Sequence, residues 1–382
     1  MKKRWLLAVA LLAAVNARAV ILFNTADPAV NTTEPAGNLA GSGWQYEGDW
    51  GPFLGTPIAP HFFISAAHVF RPADVFKFQN ATYTIVRSFG VPGTDLLVWQ
   101  VVETFPSCAP LYTRNDEVGR PLVVIGRGTQ RGSEVVVNNQ LRGWCWGAGD
   151  NVRRWGENVV AQIISYGRGN DLLAATFDQA GVPNESHLSG GDSGGAVFLN
   201  DNGTWKLAGI NYAVDGPLYT DANRSGGFTA ALFDARGFYN CDGPQCGEIT
   251  GDVPVPTAFY ATRISTKLPV IYSIIDPLGD PDGDGIPNIL EYAMNLDPLV
   301  PDVANAPKFE HAGETASLVY RKADAATDVN FAVEQSTDLV AWTTAQTQDE
   351  IISDTDGTQL IRATVNVGSA TQFFLRLRVT RQ

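Results

Sequence analysis

Apolar and polar residues alternate at period two along much of the chain, the pattern of β-strands with one buried face. Residues 82–87, 96–103, 121–125 and 134–138 read as strands, each bounded by Gly, Pro or polar residues. The period changes over residues 268–275, where Leu268, Ile271, Tyr272 and Ile275 share one helical face. Asp276-Pro277-Leu278-Gly279 then stops that helix. A stretch rich in Asp and Pro follows, and alternation resumes at 317–321, 329–333, 360–365 and 373–379. The pattern predicts a long β-rich unit over 20–276, a connection over 277–299 and a small all-β module over 300–382. No internal repeat is present.

Composition agrees with strands and turns. Among 382 residues stand 38 Gly, 22 Pro, 19 Phe and 11 Tyr, which disfavours a helix bundle. The 27 basic and 40 acidic residues leave a net charge of −13, so a nucleic-acid partner is not expected. Past the N-terminus no uncharged apolar run reaches the ~18 residues of a membrane span. Lys2, Lys3 and Arg4 precede a short apolar stretch over 5–15, and Ala17-Arg18-Ala19 fits the small-x-small cleavage rule. The expectation is a signal peptide over 1–19, a mature chain starting at Val20, and a secreted protein. In an oxidising compartment the four cysteines Cys108, Cys145, Cys241 and Cys246 point to disulfides, with three possible pairings. Sequence proximity favours Cys241–Cys246, leaving Cys108–Cys145.

The chemistry concentrates in three segments. Gly190-Gly191-Asp192-Ser193-Gly194-Gly195 sets a hydroxyl among glycines, which let backbone N–H groups approach a substrate carbonyl. A serine needs an adjacent base. Alone, Gly-x-Ser-x-Gly also fits the α/β-hydrolase elbow, but that class carries its histidine after the serine. Here only His311 follows, in the other module. Upstream, Phe62-Phe63-Ile64-Ser65-Ala66-Ala67-His68 runs an apolar strand into a histidine, and Gly93-Thr94-Asp95-Leu96-Leu97-Val98-Trp99 opens an apolar strand with an acid.

With His68, Asp95 and Ser193 in that order, the chain resembles the chymotrypsin/trypsin family of serine proteases. Leu207-Ala208-Gly209-Ile210 resembles the strand beside the substrate. Tyr260-Ala261-Thr262-Arg263-Ile264-Ser265 and the helix after it resemble the closing strand and terminal helix. Gly226-Gly227-Phe228-Thr229-Ala230-Ala231-Leu232 competes for the closing place. The resemblance implies a mainly β fold of two antiparallel six-stranded barrels with the site between them, a C-terminal helix, and a protein or peptide substrate. It implies His68 as general base and then acid, Asp95 holding its tautomer, Ser193 as nucleophile, and the N–H groups of Gly191 and Ser193 as oxyanion hole. It also implies that a freed Val20 amine pairs with Asp192. Where a trypsin-like pocket has Asp, this chain has His187. Preference for Arg or Lys is therefore not implied; His187 could favour an acidic side chain or serve the rim or the structure. About forty extra residues separate Ile210 from Tyr260. A catalytically silent binding or surface protein on the same scaffold is the alternative, against which the three intact segments argue.

Asp280-Pro281-Asp282-Gly283-Asp284-Gly285-Ile286-Pro287-Asn288-Ile289-Leu290-Glu291 matches a calcium loop in full. Asp280, Asp282 and Asp284, the Ile286 carbonyl, Asn288 and Glu291 would hold a structural Ca²⁺. Pro277 and Gly279 deny the loop an incoming helix, so it resembles the half-motifs of dockerin and thrombospondin type 3 repeats. No metal is expected in catalysis. Residues 300–382 resemble the small β-sandwich tails of exported bacterial proteins, through Val333-Glu334-Gln335-Ser336-Thr337-Asp338-Leu339-Val340-Ala341-Trp342. Anchoring, sorting and substrate binding remain open for that module.

Overall fold

Alternating burial along Ala81–Val91, with Tyr83 and Ile85 inward between exposed neighbours, is the rule from which the first unit is built. In the computed structural model, which describes residues 20–165, 170–242, 245–368 and 372–382, six strands close into a barrel. Their order is Gly48–Trp50, Phe53–Ala59, Phe62–Ala66, Leu96–Val101, Ala81–Val91 and Val75–Phe78. Closure removes the edges, and the interior is filled with rings. Phe63 and Phe76 stack 4.1 Å apart, and Trp50 meets Trp99 at 4.8 Å. Gly48 permits this filling: a Cβ there would fall 2.2 Å from the Phe76 ring. The signal peptide expected over residues 1–19 lies outside the described residues.

Runs without alternation build the second unit. Pro121–Gly126 and Ala196–Asp201 are almost continuously buried and sit side by side inside a seven-stranded antiparallel sheet. Its order is Arg154–Val159, Pro121–Gly126, Ala196–Asp201, Thr204–Val214, Ala258–Arg263, Asp171–Thr176, Gln162–Ser165. Ala258–Arg263 thus takes the closing place beside Thr204–Val214. The competing segment, as Ala230–Leu232, pairs with Gly143–Cys145 of a hairpin formed by Thr129–Val137 and Gln140–Gly149. That hairpin turns through Asn138 and Asn139 at φ of 51° and 60°, the left-handed pair that matches strand twist.

One expected disulfide forms. Cys241 bonds Cys246 across the hairpin of Tyr239–Asp242 and Gln245–Glu248. The second pair is a correction: Cys108 and Cys145 are both free thiols. Cys108 packs on the first barrel's core and Cys145 on the separate cluster around Val135, Leu218 and Leu232, so leftover status did not make them neighbours.

Helix α1, Leu268–Ile275, buries Leu268, Val270, Ile271 and Ile274. Helix α2, Asn288–Met294, ends at left-handed Asn295, whose N–H caps the last turn. Two sheets then pack around Leu318, Tyr320, Val333, Ile361 and Ala363 as a small sandwich. Helix α2 ties the pieces together. Tyr292 Oη donates to Asp328 Oδ1 at 2.5 Å, and Asn295 Nδ2 to Thr358 Oγ1 at 2.9 Å. Arg381 of the sandwich pairs with Asp328 and donates to Ser273 Oγ of α1. Tyr292 and Ala293 join the core cluster that holds Ile271 and Ile274. Among the described residues no helix is long and apolar enough to cross a membrane.

Candidate active site

Strand register brings the first two groups together. Ala66 pairs with Leu96 on neighbouring barrel strands, so the residue just past one strand meets the residue just before the other. The chain leaves Phe62–Ala66 through the single 3₁₀ turn Ala67–Val69. Ala67 N–H donates to the Asp95 carbonyl at 2.9 Å, and His68 N–H to Asp95 Oδ1 at 2.9 Å. Asp95 Oδ2 lies 2.6 Å from His68 Nδ1. One carboxylate therefore fixes both the backbone and the ring of the histidine. The Asp95 side chain is 13% exposed and that of His68 39%, which leaves the imidazole edge open to a substrate.

Ser193 comes from the other unit. Its Oγ lies 2.7 Å from His68 Nε2. The loop reaches that far because Gly194, at φ 80°, presses on the first barrel: a Cβ there would stand 2.4 Å from Ser65 Oγ. Asn211, buried in Thr204–Val214, anchors the loop by donating Nδ2 to the carbonyls of Ile125 at 2.8 Å and Asp192 at 3.0 Å. Among the described residues neither the Gly191 nor the Ser193 N–H has an acceptor. Asn211 carried no motif of its own and was missed by sequence reasoning.

Asp192 points the other way. It is 1% exposed, and Oδ1 accepts the N–H of Gly128 at 2.6 Å and of Val20 at 3.2 Å. Oδ2 accepts from Ser189 N–H at 2.7 Å and Ser189 Oγ at 3.0 Å. Burial pushes its carboxyl up to about 6 despite these donors. A Cβ at Gly126 would fall 2.1 Å from Asp192 Oδ1, so Gly126 and Gly128 are the space Asp192 occupies. Gly126-Arg127-Gly128 at a strand end was the available signal for this socket.

Of the alternatives open for His187, the structure places it inside the fold, away from the pocket and its rim. It is fully buried and does not line the cavity beside Ser193. Strand Ser186–His187 pairs with Ile21–Leu22, which turns the ring onto Phe177 and Phe259 at 5.7 and 6.1 Å. Nδ1 meets the Leu188 carbonyl at 2.7 Å, and burial lowers its proton affinity. The ring packs in the core, with Nε2 buried and unpartnered. The cavity, of about 110 Å³, is lined instead by Trp146, Leu188, Gly190, Ala213 and Val214 among others.

The acidic loop lies away from this site, at the joint of α1, α2 and the sandwich. Asp280, Asp282 and Asp284 each bring a carboxylate oxygen within 4.8 Å of the others. Glu291 is 1% exposed with no hydrogen-bond partner at either oxygen, and Asp282 Oδ2 and Asn288 Oδ1 are likewise buried and unpartnered. Asn288 Nδ2 is engaged by the Asp276 carbonyl at 2.8 Å, which leaves Oδ1 as an acceptor. Burial, with Asp282, Asp284 and Asp280 nearby, pushes Glu291 up to about 7. Asp280 and Asp284 are oriented by backbone N–H groups of the loop and of Asp302. The four oxygens left without donors, Glu291 Oε1 and Oε2, Asp282 Oδ2 and Asn288 Oδ1, are costly to bury so and fit a hard cation.

No protein-family model matches the chain, and no curated protein matches it. Solved structures do. Neuropsin, a serine protease expressed in the limbic system of mouse brain, matches at 14% identity and a TM-score of 0.38, covering 62% of this chain and 96% of its own. Two inactive forms of the Rv3671c protease from Mycobacterium tuberculosis match at 14% identity. Their TM-scores are 0.36 and 0.35, over 66% and 65% of this chain and 97% and 96% of theirs.

Proposed function

We propose that the chain is an exported serine endopeptidase that cleaves peptide bonds through an acyl-enzyme on Ser193. The observation that carries this reading is the continuous relay Asp95 Oδ2–His68 Nδ1 at 2.6 Å and His68 Nε2–Ser193 Oγ at 2.7 Å. Asp95 holds the Nδ1–H tautomer, which leaves Nε2 to take the Ser193 proton as Oγ attacks a carbonyl. The protonated ring then gives that proton to the leaving amine. The Gly191 and Ser193 N–H groups are donors without acceptors beside the nucleophile, suited to a developing oxyanion. A fluorophosphonate probe tests the reading directly. Peptide mapping is expected to find the adduct on Ser193, and the adduct should vanish in His68→Ala. An unlabelled wild-type serine would overturn the enzyme reading in favour of a silent binding protein.

A structural Ca²⁺ belongs to the same proposal, held by Asp280, Asp282, Asp284, the Ile286 carbonyl, Asn288 and Glu291. The ion neutralises clustered carboxylates and fixes the start of α2, the element that touches both α1 and the sandwich. Extracellular sites of this type bind at roughly 10⁻⁴–10⁻³ M, and an ion at about 100 times its Kd adds about 2.7 kcal/mol. Calcium is expected to raise the Tm of the full chain by several degrees and slow nicking over 276–300. Small-peptide hydrolysis should stay unchanged. The check is calorimetry on wild type and Asp282→Ala; calcium uptake surviving that substitution would remove the site.

A further inference from the structure

Resting on the protease reading, we infer that the site selects a small or medium uncharged side chain on the acyl side of the scissile bond, and that Trp146 is the wall that sets this limit. The cavity beside Ser193 is about 110 Å³. An enclosed cavity of about 150 Å³ admits benzene, so this one is sized for an alanine, valine or leucine side chain. Its walls are Leu188, Ala213, Val214 and the Trp146 indole, all without charge.

Tyr212 adds a phenol but no cation to the lining, and the one carboxylate there, Asp192, is committed elsewhere. Its two oxygens accept Gly128, Val20 and Ser189 donors, and the residue is 1% exposed. A lysine or arginine entering the cavity would find no carboxylate free to meet it, and an acidic side chain would find no cation. Burying either charge unpaired is strongly unfavourable.

Trp146 is delivered by the hairpin rather than by the sheet that carries Ser193. Its backbone faces Arg131 across the hairpin, and its N–H donates to the Thr229 carbonyl at 3.1 Å. The next residues, Ala230–Leu232, pair with Gly143–Cys145. Thr229–Leu232, within the extra length after the nucleophile, thereby brace the hairpin that supplies the wall. The indole lies directly against Gly190: a Cβ at that glycine would come 3.0 Å from Trp146 Cζ3. The ring therefore packs on the Gly190 backbone beside the cavity.

The experiment profiles a matched series of peptidyl anilides with Ala, Val, Leu, Phe, Lys or Glu at that position, alongside fluorophosphonate labelling of the same preparation. Wild type is expected to favour Ala, Val and Leu by at least ~100-fold in kcat/KM over Lys and Glu. Trp146→Ala should raise Phe relative to Ala by ~10-fold or more, while Trp146→Phe retains the wild-type order. Val214→Gly is the independent second variant and should shift the profile toward larger side chains. A labelled enzyme that prefers Lys or Glu overturns this inference alone, as does a Trp146→Ala profile identical to wild type. An unlabelled Ser193 overturns it together with the protease reading.

Discussion

Ser193→Ala is expected to lower kcat on a peptide substrate by roughly 10⁴–10⁶-fold while the protein remains folded. The hydroxyl's role in the structure is its bond to His68 Nε2, on a residue that is not buried, so its loss leaves no hole in a core. His68→Ala should cost about the same, and the double substitution little more, because the two act as one unit. Asp95→Asn should fall by about 10⁴-fold. The amide can still accept the His68 N–H through its oxygen, but it offers an NH₂ to Nδ1 and favours the wrong tautomer. Steady-state rates paired with melting curves separate these effects. Wild-type turnover by Ser193→Ala would end the acyl-enzyme reading.

The second large effect concerns the N-terminus of the mature chain. Cleavage after Ala19 would convert the Val20 N–H that now meets Asp192 Oδ1 at 3.2 Å into an ammonium. In the uncleaved chain Asp192 is buried without a cation, and its carboxyl stands at about 6 against an ordinary 3.8. A carboxyl raised in the folded state favours folding below about pH 4, and that contribution is lost as pH rises through about 6. At 1.36 kcal/mol for each pH unit, the ionised group costs about 3 kcal/mol at neutral pH. The Val20 ammonium offsets this cost. The cleaved chain is therefore expected to melt higher than the uncleaved one at pH 7–8, and the gap should close near pH 4. Because Asp192 adjoins Ser193 and bonds Gly128 and Ser189, the uncleaved chain is also expected to lose about 100-fold in kcat/KM. Full activity in a chain carrying residues before Val20, or a melting gap independent of pH, would refute the pairing.

Much of the local structure was legible because strands and helices are short-range patterns. The strand over 82–87 lies within Ala81–Val91, and the helical face over 268–275 became Leu268–Ile275, since Asp276-Pro277 cannot continue a helix. The helix starting at Asn288 followed from the loop motif that precedes it. His68, Asp95 and Ser193 each carried a local signature as well: an apolar strand running into the histidine, an apolar strand opening on the acid, and glycines around the serine.

What stayed hidden depends on which strands meet. His187 stood where the trypsin-like resemblance puts a pocket residue, yet the pairing of Ser186–His187 with Ile21–Leu22 turned it into the core. Cys108 and Cys145 were left over in sequence, but packing put them on different clusters. Trp146 and Asn211 carry no motif, because one acts through a cavity wall and the other through two carbonyls on separate strands. The strands, the glycines that let the Ser193 loop bend, and the residue types able to do acyl transfer or hold a cation are all written locally in the chain. Those follow from φ/ψ preference, alternation and side-chain chemistry, which act within a few residues. The 2.7 Å contact between His68 and Ser193, the burial of Asp192 against Val20, and the indole wall beside Gly190 came from long-range packing. Each of these joins segments far apart in the chain, and their distance is set by strand register and by the closing of the barrel.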